Sequence, residues 1–333
     1  IRLLYNAGTP IYTKEIIRDV DEQLKLLTSI PQASKRCQQR VTVQGLDKSQ
    51  VEFEVESGLT LPGGSTIPGG ELDLEMVVRE PFISYIPIQR LTSIIENQIP
   101  RLAYCSLQIH HYMDCWNKFS QEPVDQSCSQ PYEEVNAFFR SIRGTWEASE
   151  ACRQLRSTLL SVQTPYRKVV GLGLGTMGYS DEGSRRAAYQ HALLLTLQEV
   201  LWEKEKKSIV ECSGQSGGGI IYAQDPGYTP VDELILGEHG ITVVGNPKGF
   251  LEVDDWTAVV SCAPSVPVKQ IIADLAQPGI MIVDRICEED SKIPMLDPDS
   301  PRVRQQVNNS YNMFEFCGEY EHFGEAVMYV RRH

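Results

Sequence analysis

Beyond Pro165, short apolar runs alternate with helical patterns, and this alternation most narrows the folds open to the chain. Lys168-Val-Val-Gly-Leu172, Ile220-Ile-Tyr-Ala-Gln224, Ile241-Thr-Val-Val244, Thr257-Ala-Val-Val-Ser261 and Gly279-Ile-Met-Ile-Val283 read as strands. Between them lie a long helix over Ser184 to Lys204 with Leu194, Leu197 and Leu201 on one face, a helix near Val231 to Leu236, and another from Val266 to Ala276. Strands this apolar fit a mainly parallel sheet covered on both faces. The expected fold is therefore α/β, a Rossmann-like doubly wound sheet. Right-handed crossovers put its ligand crevice at the carboxyl ends of the strands.

The residues before this region read differently. Thr13 to Ile30 carries apolar residues at helical intervals ahead of Pro31, and Arg40 to Leu46 with Val51 to Val55 suggests a hairpin across Asp47-Lys-Ser. Ser57 to Gly70 is rich in Gly, Pro, Ser and Thr and reads as a loop. Helical patterns follow at Ile88 to Gln98, at Leu102 to Phe119, and from Pro131 to about Leu160 with a break near Gly144. The expected organisation is an N-terminal α+β region over 1–160, a Rossmann-type domain over 165–290, and a C-terminal extension over 291–333 that packs on the core.

Composition excludes several classes. With 41% hydrophobic and 23% charged residues the chain has an ordinary globular balance. A formal net charge of −13 disfavours an extensive nucleic-acid surface, leaving only Arg185-Arg186 and Lys204-Glu-Lys-Lys207 as small basic clusters. No run of about eighteen apolar residues is present, and IRLLYNAGTP lacks the pattern of a secretory signal, so no membrane partner is expected. The cysteines at 37, 105, 115, 128, 152, 212, 262, 287 and 317 are scattered and never spaced C-x-x-C. Free thiols in an intracellular protein, cytoplasmic or nuclear, are the expectation, with no zinc ribbon. His110-His111 are adjacent on an expected helix and diverge, so no metal site is expected.

The residues suited to chemistry cluster at the strand ends. Gly173-Leu-Gly175-Thr-Met-Gly178 matches G-x-G-x-x-G and follows a strand, a context that lets the backbone approach a ligand closely. Tyr179 to Gly183 separates it from the clear helix, a departure from an ordinary dinucleotide site. Asp225, at the end of the second strand, is where a carboxylate meets the ribose of a nucleotide-like ligand, although Asp-Pro-Gly is also a common turn. Val253-Asp-Asp-Trp256 precedes the fourth strand and Ser261-Cys-Ala-Pro-Ser265 ends it, and either could reach the same crevice. His191 lies close to the glycine turn, as a ligand contact or as a buried structural histidine. The expected ligand-binding set is Gly171, Gly173, Gly175, Thr176, Gly178, His191, Asp225, Asp254 and Ser261.

At these residues the chain resembles a known family. Lys168-Val-Val-Gly-Leu-Gly-Leu-Gly175, Tyr189-Gln-His191, Tyr222-Ala-Gln-Asp-Pro226, Gly240-Ile-Thr-Val-Val244, Gly249-Phe-Leu-Glu-Val253 and Ser265-Val-Pro-Val-Lys-Gln270 together resemble the Sensitivity-to-Red-Light-Reduced (SRR-like) domain in its fungal form. Leu4-Tyr-Asn-Ala-Gly8, Thr13-Lys-Glu15, His322-Phe-Gly-Glu325 and Tyr329-Val-Arg331 extend the likeness towards both ends. The resemblance implies a regulatory setting, since plant and animal members are associated with circadian or light-linked regulation and haem metabolism. It carries no defined reaction to this chain.

Three readings of function stay open. One is a small-molecule transferase using an adenosyl or nucleotide ligand, with S-adenosylmethionine preferred to a nicotinamide because the strand plan and the Gln277-Pro-Gly279 turn suit it. A second is a regulatory binding module that performs no chemistry. The third is a transfer-RNA-dependent enzyme resembling cyclodipeptide synthases, which the acidic balance and the lack of a D-D-x-x-E motif disfavour.

Overall fold

The structure is a computed structural model that describes residues 1–28, 39–55, 60–62, 74–93, 102, 104–117, 119–120, 122–123, 130–164, 166–179, 181–209, 219–288 and 295–332. It forms two compact units, Ile1–Cys128 and Ser129–His333. Most of the Gly/Pro-rich stretch after Ser57, and the residues between Ser213 and Gly219, lie outside the described residues.

The first unit contains α1 (Arg2–Asn6), α2 (Lys14–Thr28), β1 (Gln39–Gln44), β2 (Gln50–Val55), β3 (Thr60–Pro62), β4 (Leu74–Tyr85), α3 (Ile88–Thr92), β5 (Leu107–Asn117) and β6 (Glu122–Pro123). The expected amphipathic helix is α2, which buries Ile17 and Val20 and packs on β1 of the expected hairpin β1-β2. The helical reading of Leu102 to Phe119 is corrected. Its main part is strand β5, paired antiparallel with the long strand β4 in the sheet β3-β4-β5-β6. Leu107 and Ile109 are buried while Gln108 and His110 are more exposed, a two-residue period, and the following aromatic residues suit a pleated surface. The Ile88 helix ends at Thr92 within the described residues.

The second unit contains α4 (Tyr132–Ala148), α5 (Glu150–Ser161), β7 (Lys168–Leu172), α6 (Glu182–Ile209), β8 (Ile220–Gln224), α7 (Pro230–Glu238), β9 (Ile241–Val243) and α8 (Lys248–Glu252). It continues with β10 (Thr257–Ser261), α9 (Val268–Leu275), β11 (Ile280–Asp284), α10 (Pro301–Ser310), β12 (Tyr311–Glu315), α11 (Tyr320–Phe323) and β13 (Ala326–Arg331). The break in the helical stretch after Pro131 falls at Ser149, whose hydroxyl caps α5 by accepting from the Cys152 N–H, and not at Gly144. Both α4 and α5 pack on α6, within this unit.

One seven-stranded sheet, in the order β9-β8-β7-β10-β11-β13-β12, organises the unit. The five strands read from the sequence are parallel, and β10 is buried along its whole length. Leu194 and Leu197 of α6 join Val169, Val260 and Ile282 in the core beneath it. The C-terminal residues do more than pack on this core. Strand β13 pairs antiparallel with both β11 and β12, so the last two strands complete the sheet.

Among the described residues no helix is long and apolar enough to cross a membrane. Cys105, Cys115, Cys152 and Cys262 are free thiols, while Cys212 lies outside the described residues. Intact-mass spectrometry of unreduced protein is expected to find all five as thiols; a stoichiometric disulfide among them would contradict the free-thiol reading.

Candidate functional site

The chain turns back at β7: β8 and β9 lie on one side of it, β10 and β11 on the other. In a parallel α/β sheet, the loops that leave the carboxyl ends of the strands flanking such a point enclose a crevice. Those loops are the glycine turn after β7 and Cys262–Ser265 after β10. They touch, since a Cβ on Gly173 would lie 2.9 Å from Pro264 Cβ. Gly173 and Gly175 have φ of +68° and +79°, a backbone state that glycine adopts without the Cβ penalty of other residues. A Cβ on Gly175 would meet only Ala187 Cβ, at 3.6 Å, so space remains above it. Gly171 serves packing, because a Cβ there would press on Leu174 and Leu194, and Gly178 is closely flanked by Thr229.

Asp225 meets the turn. Its Oδ2 accepts the Gly175 N–H at 2.7 Å and its Oδ1 accepts the Gly227 N–H at 2.7 Å. The structure thus brings together two residues fifty positions apart, because β7 and β8 pair in register and their ends adjoin.

A second carboxylate beneath the turn was not among the expected residues. Asp232 is fully buried, and its Oδ1 accepts the Met177 N–H at 2.7 Å. Its Oδ2 accepts the Thr176 hydroxyl at 2.5 Å, the Thr229 N–H at 2.8 Å and the Thr229 hydroxyl at 2.7 Å. Thr229-Pro-Val-Asp232 is a capping box that starts α7, and that sequence signal was available. The pairing with Thr176 and Met177 was not, because it depends on the sheet.

His191 props this assembly from α6. It is fully buried, with Nδ1 2.7 Å from the Ala187 carbonyl and Nε2 2.7 Å from the Tyr228 hydroxyl. Burial pushes its pKa below the ordinary imidazole range. It also pushes the Tyr228 phenol well up, with the Asp225 and Asp232 charges adding to the effect. A carbonyl only accepts, so Nδ1 carries the proton and the neutral ring accepts the Tyr228 O–H at Nε2. The imidazole therefore orients the turn that bears Asp225.

Two expected residues lie outside this arrangement. Ser261 is buried and donates to the Leu172 carbonyl at 2.7 Å, tying β10 to β7. Asp254 precedes β10 and pairs with Lys168, the first residue of β7, at 2.9 Å. It therefore sits at the amino ends of the strands, roughly 15 Å from the glycine turn for strands rising about 3.3 Å per residue. Residues before and after a strand of a parallel sheet cannot share a crevice.

Another charged cluster occupies the carboxyl end of β11. Asp284 accepts the Ala263 N–H at 2.9 Å, and Ala263 has φ of +52°, an uncommon state for a residue with a Cβ. Lys269, buried on α9, has its ammonium 2.5 Å from Asp299, and its backbone N–H donates to Asp297 at 3.0 Å. Burial works against the Lys269 charge, but Asp297 and Asp299 outweigh it and hold its pKa above the ordinary range. Burial raises the pKa of Asp284 and lifts that of Asp297 to about 7. A cavity of about 480 Å³ opens on the other flank of the turn, lined by Gln130, Glu134, Phe138, Met177, Tyr179 and Arg185. That volume lies within the range of small-molecule sites. Among the described residues no group of three or more His, Cys, Asp or Glu side chains is placed to hold a metal ion.

Fold and site define an α/β protein with an acid-supported glycine turn at the switch point of a mostly parallel sheet. The SRR1 domain model matches residues 152–324, more than half of the chain, and the chain belongs to that family. No curated protein and no solved structure gives a significant match.

Proposed function

We propose that the second unit is a Rossmann-type domain whose crevice between the β7 and β10 loops holds an adenosyl- or nucleotide-type ligand, and that the protein is a small-molecule transferase using it. The observation that carries this reading is the contact of Asp225 with Gly175 at 2.7 Å, which puts an acid at the end of β8 against a glycine turn. The strand plan and the Gln277-Pro-Gly279 turn ahead of β11 resemble those of S-adenosylmethionine-dependent methyltransferases, which favours that donor over a nicotinamide. A binding module without chemistry is the second reading. It is favoured by the burial of Ser261 and His191, and by the Cys262 thiol, which burial pushes far above its ordinary pKa.

Calorimetry of the whole chain with adenosine, S-adenosylhomocysteine, AMP and NAD tests the site. Gly175→Val puts a branched side chain at a positive φ and into the open space above the turn, and is expected to abolish binding. Asp225→Asn keeps the size of the side chain but removes the charge and one of the two oxygens that accept from Gly175 and Gly227, at a cost of about 1–3 kcal/mol. Unchanged affinity in both folded variants would remove the assignment.

A further inference from the structure

Four of the six amides of the Gly173–Gly178 turn, and that of Tyr179, are already engaged by the protein. Gly173 N–H donates to the Gln224 carbonyl at 2.9 Å, Gly175 N–H to Asp225 at 2.7 Å and Met177 N–H to Asp232 at 2.7 Å. Gly178 N–H donates to the Thr176 hydroxyl at 2.9 Å and Tyr179 N–H to the Ser184 hydroxyl at 3.2 Å. In the first turn of α6, Ser184 N–H likewise donates to Asp181, at 2.7 Å. These are the kinds of groups through which a glycine-rich turn ahead of a helix holds phosphate.

We propose that this turn selects an adenine nucleoside that carries no phosphate, and that Asp225 sets the selection by accepting hydrogen bonds from the ligand's hydroxyls. The inference rests on the crevice reading above and narrows it. A phosphate at the turn would find the Gly175 and Met177 amides already held by carboxylates and would sit beside the charges of Asp225 and Asp232 in a partly dehydrated site. Hydroxyl donors meet the opposite situation. A carboxylate has about four acceptor positions, and Asp225 uses one on each oxygen for Gly175 and Gly227 while staying only half-buried. Asp232 is fully buried and accepts from four donors, so it contributes a fixed negative charge and no ligand contact. Such a field suits a neutral nucleoside or one bearing a cation such as a sulfonium.

Calorimetry of the intact chain with adenosine and S-adenosylhomocysteine against AMP and NAD decides the matter. Adenosine and S-adenosylhomocysteine are expected to bind at least about tenfold more tightly than AMP or NAD. In Asp225→Asn that preference is expected to shrink, a change of ratio that mere loosening of the fold would not produce. Gly175→Ala, whose Cβ would lie 3.6 Å from Ala187 Cβ, serves as the site control should the valine variant not fold. AMP or NAD bound as tightly as adenosine, and weakened by the Gly175 variant, would overturn the phosphate exclusion and leave the crevice reading standing. A preference unchanged in Asp225→Asn would overturn the role of that carboxylate. Binding of none of the four compounds to the parent chain would overturn both readings.

Discussion

Asp232→Ala is expected to destabilise the second unit by about 3–5 kcal/mol, through the loss of acceptors for two backbone amides and two hydroxyls at a buried position. The hydroxyls of Thr176 and Thr229 can rotate towards other acceptors, but the Met177 and Thr229 amides cannot. Each orphaned amide costs roughly 1–3 kcal/mol, and the lost charge-assisted bonds add to that. Asp232→Asn keeps an oxygen for Met177 but turns its amide nitrogen towards the Thr229 N–H, so it is expected to lose less than the alanine variant while still orphaning that amide. Urea denaturation followed by far-UV circular dichroism reads both variants. A loss below about 1 kcal/mol for the alanine variant would mean that the turn holds its shape without this carboxylate, contrary to the geometry.

Lys269→Met is the other large effect, and it depends on pH. The substitution preserves much of the volume but leaves the largely buried Asp299 with the Cys287 N–H and without the ammonium now 2.5 Å away, a change that typically costs about 3 kcal/mol. The pH dependence follows from Asp297, whose folded pKa is about 7 against an ordinary 3.8. For a carboxyl raised on folding, the stabilising contribution is complete below the unfolded pKa and is lost as pH rises past the folded one. The Lys269 charge partly offsets burial at Asp297, so its removal drives that pKa higher and makes ionisation at high pH more costly. The variant should therefore lose more stability relative to the parent at pH 8 than at pH 5.5. Equal losses at both values, measured by denaturant titration, would show that Asp297 does not hold its proton in the fold.

Much of the second unit could be read from residue order. The five parallel strands follow from short apolar runs buried on both faces, and the positions of Gly175 and Asp225 follow from pairing the ends of β7 and β8. Other features depended on partners that a local window does not contain. β5 contains apolar and aromatic residues that also fit a helical period, and only the long strand β4 beside it decides the conformation. Tyr311–Glu315 lacks a clean strand pattern and becomes a strand by pairing with β13, whereas Ala326-Val-Met-Tyr-Val330 is an apolar run of the same kind as the other five and carries the same signal. The place of Asp254 is legible in the sequence. It precedes its strand while Ser261 ends it, and strand direction alone separates the two. Asp232 shows the converse, since its capping role was legible in Thr229-Pro-Val-Asp232 but its bonds to Thr176 and Met177 arise only from tertiary packing.

The position of β13 governs the order in which this sheet can assemble. β12 pairs with β13 and not with β11, so it has no seat until β13 has docked, and β11 keeps an open edge until then. Closing that edge joins segments separated by the whole stretch between Asp284 and Ala326, a long-range closure comparable to the one between Leu172 of β7 and Ile220 of β8. Until it occurs, the apolar strand Ile280–Asp284 presents unpaired backbone to any other extended chain, the circumstance in which nascent sheets aggregate. The same reasoning locates a hazard in defining the domain by its family match, which stops at residue 324. A chain cut there would lose β13, release β12 with it, and leave the completed core with a permanently adhesive flank.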